Sequence, residues 1–245
     1  MKSRLRPLLT TLLLVSPLLL SACAPLATAP DSSALKQAYD NAVKDAEQVE
    51  PDEISTQLTA ITPDNPRLVW QQKNTPNAQL LVATWTNYNG YDDKLRQSVR
   101  VSREVWVTAA PELKEFCQQI RGDKTLRLEQ RLGLPPNSGK TKVVEMWVKP
   151  EDLFRPSPDP EISDREAGAD FPTSSRFMSI SPAYRNWFKQ QQEKSYGSNG
   201  YPWTRLGYTY DWGNTSNPVG LSEFVIAKGA AVEIKGVTPT AQYCQ

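Results

Sequence analysis

The chain has 245 residues, no histidine, and 28 Lys and Arg against 27 Asp and Glu, a formal charge of +1. Without imidazole it lacks the commonest neutral-pH base, the commonest metal ligand, and every Ser-His or Cys-His nucleophile. A near-neutral balance offers no electrostatic footprint for nucleic acid and no basic surface for anionic lipid.

Lys2, Arg4 and Arg6 precede an apolar run over residues 8–20, interrupted only by Thr10, Thr11, Ser16 and Pro17. Charge order and length read as a secretion signal over residues 1–22. The run falls short of the roughly 20 apolar residues that a spanning helix needs, and Pro17 interrupts it. It ends in Leu20-Ser21-Ala22-Cys23, which resembles the lipobox of bacterial lipoproteins. The resemblance implies cleavage before Cys23, lipid on its sulfur and acylation of its new amine. Two or three acyl chains, at about 0.8 kcal/mol per buried methylene, hold a protein on a membrane effectively permanently. Because Ala24 rather than aspartate follows, the resemblance also implies an outer membrane and a domain facing the periplasm. The alternative is a secreted protein whose cysteine merely lies near the cleavage site.

The signal takes three of the 28 cationic residues and none of the 27 acidic ones, leaving the mature chain at −2. Cys117 and Cys244 remain, an even number for an oxidising compartment, and are expected to pair. In the chain-entropy picture a loop that long contributes about 5 kcal/mol. The alternative is two buried free thiols. Two thiolates without imidazole make no zinc site, and no cofactor is expected.

Residues 23–53 read as a lipidated tether followed by a weak helix from Asp31 to Val49, whose apolar stripe is thin (Leu35, Ala38, Ala42, Ala46, Val49). Such a helix is either loosely docked or part of a stalk, and Pro51 ends it. Residues 54–245 read as a single α+β domain with a mixed or antiparallel sheet, a few short helices and a long Pro-rich loop. Strands are predicted over residues 80–86 and 99–108, with turn chemistry at 87–93 between them. Pro111 opens a helix through Leu113, Phe116, Cys117 and Ile120, stopped at Gly122. A second helix over 126–132 ends at Gly133, and another strand follows at 143–148. Residues 150–182 contain six prolines and read as a loop wrapped over the domain or a functional flap. A short helix from Ser181 or Pro182 carries Tyr184, Trp187 and Phe188, and two last strands lie near 205–210 and 222–226.

Two groups of residues are candidates for a site. Glu104-Val105-Trp106-Val107 is loosely repeated as Glu145-Met146-Trp147-Val148. Strand alternation puts Glu104 with Trp106, and Glu145 with Trp147, on one face. If the strands are neighbours, two carboxylates and two indoles share a groove for a cation or sugar, or form a glycosidase-like acid pair. The plainer reading is a half-buried sheet face neutralised by Arg100, Arg103 or Lys142. The second group, Tyr201 to Gly213, holds five aromatic rings in thirteen residues. Trp203, Arg205, Tyr208, Tyr210, Asp211 and Trp212 suit stacking on sugar faces or holding a peptide. The plainer reading is packing against the Pro-rich segment. Trp203 is expected to be buried there, and Trp212 to lie nearer the surface.

Three lookalikes carry nothing. Gly139-Lys140-Thr141 lacks the earlier glycine of a phosphate loop, Ser33-Ala34-Leu35-Lys36 lacks any second element of a serine-lysine acyltransferase, and Asn214-Thr215-Ser216 is a sequon without meaning in bacteria. Val105-Trp106-Val107-Thr108 with its following Pro-Glu-Leu helix, together with the segment from Tyr201 to Trp212, resembles an uncharacterised group of bacterial, especially cyanobacterial, envelope proteins. That resemblance implies location and a single fold, without an activity. The expectation is a lipid-anchored envelope protein that binds a cell-wall glycan, peptide or envelope protein. The alternative is a glycan hydrolase using Glu104, Glu145 or Asp211.

Overall fold

A computed structural model describes residues 31–172 and 180–245. The signal, Cys23 and most of the tether lie outside the described residues. Asp31–Gln245 forms one compact unit.

The chain begins with α1 (Ser32–Ala46), where Asp31 caps the first turn by accepting from the Ser33 N–H. A two-residue β1 (Trp70–Gln71) leads to β2 (Gln79–Thr86), β3 (Ser98–Arg100) and β4 (Val105–Ala109). Two helices follow, α2 (Ala110–Gln119) and α3 (Lys124–Arg131), the latter capped by Asp123. Gly133, just past α3, has φ +64°, the left-handed position that ends helices. β5 (Lys142–Val148), β6 (Leu153–Phe154) and α4 (Pro182–Ser195) precede β7 (Tyr208–Tyr210), β8 (Val219–Ser222) and β9 (Phe224–Ile226). β10 (Ala231–Pro239) and α5 (Thr240–Tyr243) complete the chain.

The architecture is α+β, with an antiparallel main sheet ordered β3-β10-β5-β2-β4-β9-β6, β1 on the side of β2, and a separate β7-β8 pair. Only residues 101–104 join β3 to β4, although three strands lie between them. Five Cα steps reach about 18 Å at most, whereas four flat strand spacings need about 19 Å. The sheet is therefore curled. Its inner face packs Leu80, Val82, Val107, Val144, Met146, Phe224 and Ile234 into the main core. Its outer face carries Leu81, Ala83, Trp85 and Val143, covered by Leu113 and Cys117 of α2 and Leu128 of α3.

Three expectations are corrected. The predicted strand over 99–108 is two strands, because the chain bends at Ser102 and Arg103 to pass from one side of the sheet to the other. Strand β10, paired on both sides, was not anticipated: a bulge between Ile234 and Gly236 interrupts its alternation. Of the two alternatives for the helix of residues 31–49, docked or stalk, it is docked: Tyr39, Ala42 and Ala46 are buried, and Tyr39 and Ala42 pack with Trp212. The compact unit therefore begins at Asp31 rather than at residue 54. The Pro-rich segment is a wrapped loop as far as it is described, with the Tyr184 hydroxyl donating to the carbonyls of Arg155 and Ser157 at 3.0 and 2.7 Å.

Cys117 of α2 and Cys244 form a disulfide across 127 residues of separation, with Cα atoms 4.9 Å apart. Lys114 and Lys124 donate to the carbonyls of Tyr243 and Cys244, so the C-terminus is fixed to two helices as well as to β10. Replacing both cysteines by alanine is expected to lower the unfolding free energy by up to about 5 kcal/mol, measured as a shift of the urea midpoint. Unreduced peptide mapping should recover the Cys117–Cys244 pair from the wild type.

Candidate functional site

The aromatic segment does a different job from the one its composition suggests. Trp212 is 4% exposed and not near the surface. It meets Tyr39 edge-on at 5.9 Å, and its indole N–H donates to the Leu134 carbonyl at 2.9 Å. Arg205 donates to the carbonyls of Ala46 and Glu47 at 3.4 and 2.8 Å. It thereby satisfies orphan acceptors at the C-terminal end of α1 and sets a positive charge against the negative end of the helix dipole. The Tyr208 hydroxyl donates to the Glu53 carbonyl and that of Tyr210 to the Asp45 carboxylate. Asp211, fully buried, accepts two bonds from Arg127 at 2.7 and 2.6 Å and one from Arg131 at 3.1 Å. Arg205, Tyr208, Asp211 and Trp212 thus clamp residues 31–53 and α3 onto the domain instead of facing a ligand, while Tyr210, anchored to Asp45, also lines the cavity described below. Their partners lie far away in sequence, so local pattern gave no sign of them.

The two Glu-x-Trp echoes are not neighbours. β2 separates β4 from β5, with Ala83 opposite Thr108 on one side and Glu145 on the other. Glu145 pairs with Lys235 at 3.1 Å, rather than with Arg100, Arg103 or Lys142. Lys142 is engaged by Asp92 instead. Trp147 sits opposite Leu81, away from Trp106, and Glu104 lies half-exposed ahead of β4. No shared groove of two carboxylates and two indoles exists.

What does come together is Trp106 with Trp203, ring centroids 6.1 Å apart at 87°. Trp203 is buried as expected: its indole N–H donates to the Pro156 carbonyl at 3.2 Å, and its ring packs on Phe188 of α4 at 4.9 Å.

These indoles wall a cavity of about 320 Å³ created by a fork in the sheet. The β2–β4 ladder stops at Ala83↔Thr108, and β4 then pairs β9 through Val105, Trp106 and Val107. The Thr86 carbonyl accepts from Thr141, and the Leu81 N–H donates toward β1. By ladder alternation the backbone groups of Trp85 therefore face β4. Glu223 and Ala227 donate away from β4, so Trp106 presents its own backbone groups back toward β2. The two strands splay there, and the cavity opens between Trp85 and Trp106.

Its floor is polar. The β4–β9 register sets Trp106 against Val225 and Val107 against Phe224. One step beyond, Thr108 and Glu223 are cross-strand neighbours on the cavity side. They are 4% and 7% exposed, and neither Thr108 Oγ1 nor Glu223 Oε1 has a hydrogen-bond partner among the described residues. Desolvation alone pushes the Glu223 carboxyl well above the usual carboxylate range, with no cation close enough to oppose it. Burial of that kind favours the protonated form of the carboxyl, which has both a donor and an acceptor. Tyr201, 48% exposed, and Lys140 also line the space. Glu223 was missed in the sequence; the one available signal was an acid inside the apolar run from Leu221 to Ile226.

Among the described residues no group of three Cys, Asp or Glu is placed to hold a metal, and no helix is long and apolar enough to cross a membrane. Compared with protein-family models, curated proteins and solved structures, the chain matches none.

Trp212→Ala is expected to cost about 3–5 kcal/mol and to speed hydrogen exchange in residues 32–46, read by mass spectrometry. For Glu223 the folded state holds a proton that the unfolded chain releases near its ordinary value of 4.5. Stability therefore falls as pH rises from there toward the raised folded value. Glu223→Gln should remove that slope, melting above the wild type at about pH 7 and level with it at about pH 4.

Proposed function

We propose that this chain is a lipid-anchored protein of the bacterial envelope that binds a cell-wall ligand without transforming it, the fork cavity being its site. The carrying observation is a formed cavity with two unpartnered polar groups, Thr108 and Glu223, at its floor. Of the seven buried side-chain polar atoms without partners among the described residues, these two line the cavity, and a ligand that satisfies them accounts for their retention.

Binding is favoured over hydrolysis on distance. Glu145, Ala83, Thr108 and Glu223 form one row across the sheet, which puts the two glutamates three strand spacings, about 14 Å, apart. Acid pairs of glycosidases lie within about 5–10 Å. Glu145 is also engaged by Lys235, and Asp211 by two arginines.

The lipobox residues Leu20-Ser21-Ala22-Cys23 support the anchor.

The test uses the full-length chain in detergent. Wild type is expected to label with a palmitate analogue and to show saturable tryptophan quenching by a soluble peptidoglycan digest. Cys23→Ser is expected to lose the label and keep the quenching. Labelling of Cys23→Ser at the wild-type level overturns the anchor, and a digest that leaves wild-type fluorescence unchanged overturns the ligand.

A further inference from the structure

We propose that the fork seats a short, extended, acidic peptide, the peptide part of the cell-wall polymer rather than its sugars, held by the unpaired backbone of Trp85 and Trp106 and by the cations Arg103 and Lys140. This rests on the reading of the chain as a protein that binds a cell-wall ligand and narrows that ligand to one component of the wall.

The backbone comes first. Had the β2–β4 ladder run one rung beyond Ala83↔Thr108, Trp85 and Trp106 would exchange both of their backbone hydrogen bonds. Their N–H and C=O groups instead face the gap, and none of the four has a partner among the described residues. Backbone groups inside a protein are almost always paired. The complement of a donor and acceptor set out as a strand rung is the backbone of another peptide, the bonding by which a sheet takes up an added strand. A sugar offers hydroxyls at no such fixed spacing.

The gap also has room on both faces of the sheet. On the outer face lies the cavity walled by Trp106 and Trp203. On the opposite face a second cavity, of about 670 Å³, is lined by Tyr88, Asn89, Arg103 and Val105. Thr84, Thr86 and Lys140 line both, so the two spaces meet where the strands splay. An extended chain sends its substituents out of the plane of the sheet it joins, and either side of that plane receives them here.

Length and charge narrow the choice of peptide. One open rung seats about two or three residues, and the ladder closes again at Ala83↔Thr108, so the peptide ends there. At that apex Thr108 and Glu223 hold unpartnered oxygens for its last polar groups. A short peptide with a free end suits such a slot, and an interior segment of a folded partner does not. No carboxylate lines the second cavity, and neither Arg103 nor Lys140 forms an ion pair among the described residues. A carboxylate on the peptide supplies the missing counter-charge. Wall peptides are short, end freely and carry carboxylates.

Sugar-free wall peptides released by an amidase, peptide-free glycan strands, and the synthetic L-peptide acetyl-Thr-Glu-Leu-Glu-Thr-amide are titrated separately into the full-length chain in detergent, read by tryptophan fluorescence. The wall peptides are expected to saturate, and glycan strands to bind at least about ten-fold more weakly. Amide exchange at Trp85 and Trp106, followed by NMR, is expected to slow by about ten-fold or more in the wall-peptide complex. Replacing both cations, Arg103→Gln with Lys140→Gln, is expected to weaken the wall peptides by about ten-fold at an unchanged melting temperature. Should that variant fail to fold, raising the salt from about 0.05 to 0.5 M on the wild type is expected to weaken them several-fold. Wall peptides that bind without slowing exchange at either tryptophan, or without responding to charge removal or salt, overturn the proposal. Glycan strands or the synthetic peptide binding as tightly as the wall peptides also overturn it, in favour of a sugar or of a protein segment. If the intact digest quenches the wild type but its peptides do not, the proposal falls and the broader reading stands; if neither does, both fall.

Discussion

Strand β4 serves two partners in five residues, and the geometry of the site follows from that division. Thr108 and Ala109 belong to the β2 ladder, while Val105, Trp106 and Val107 belong to that of β9. β2 and β9 each lie at ladder distance from a different part of this short strand, so β2 diverges where β9 takes over and a wedge opens. Indoles enter it because only large rings bridge the gap, and α4 with its Phe188 and Trp187 closes the far side through Trp203. The price of the wedge is a row of polar groups left without protein partners.

The second structural commitment is the Arg127–Asp211–Arg131 cluster. Asp211 has no exposed surface, and the side chains of its two arginines are 28% and 23% exposed. A buried ion pair of this kind adds little net stability against an apolar replacement, but losing one partner leaves an unpaired buried charge. Its effect is positional. It fixes the segment after β7 relative to α3, and Trp212 then lies where α1 can pack on it.

Local chemistry was legible where its partners are local. Asp31 and Gly133 marked helix ends by capping, and β-branched runs marked β2 and β5; the Asp123 cap was not read. The disulfide was legible by counting. Topology was not, because the bend at Ser102 and Arg103 carries no proline or glycine, and because β10 contains Glu233, Lys235 and Gly236, which read as surface loop. The candidate site was half legible. Trp106 and Trp203 were picked out by composition, and both wall the cavity. Arg205, Tyr208, Tyr210, Asp211 and Trp212 were picked out on the same grounds and turned out to be engaged within the fold. Glu223 escaped because what distinguishes it is a missing partner, a property of the folded state alone.

β10 lies between β3 and β5, one strand in from the edge of the sheet, and follows every other strand in chain order. A polypeptide emerging from its N-terminus, whether from a ribosome or through a translocation pore, therefore cannot attach β3 to the rest of the sheet until β10 is out. Strand β3 waits for a partner that follows it by about 130 residues. Such an order of assembly keeps the chain open and threadable for as long as it is in transit. It also couples completion of the core to the appearance of Cys244, so that the chain's end is oxidised only after the fold has brought it beside Cys117.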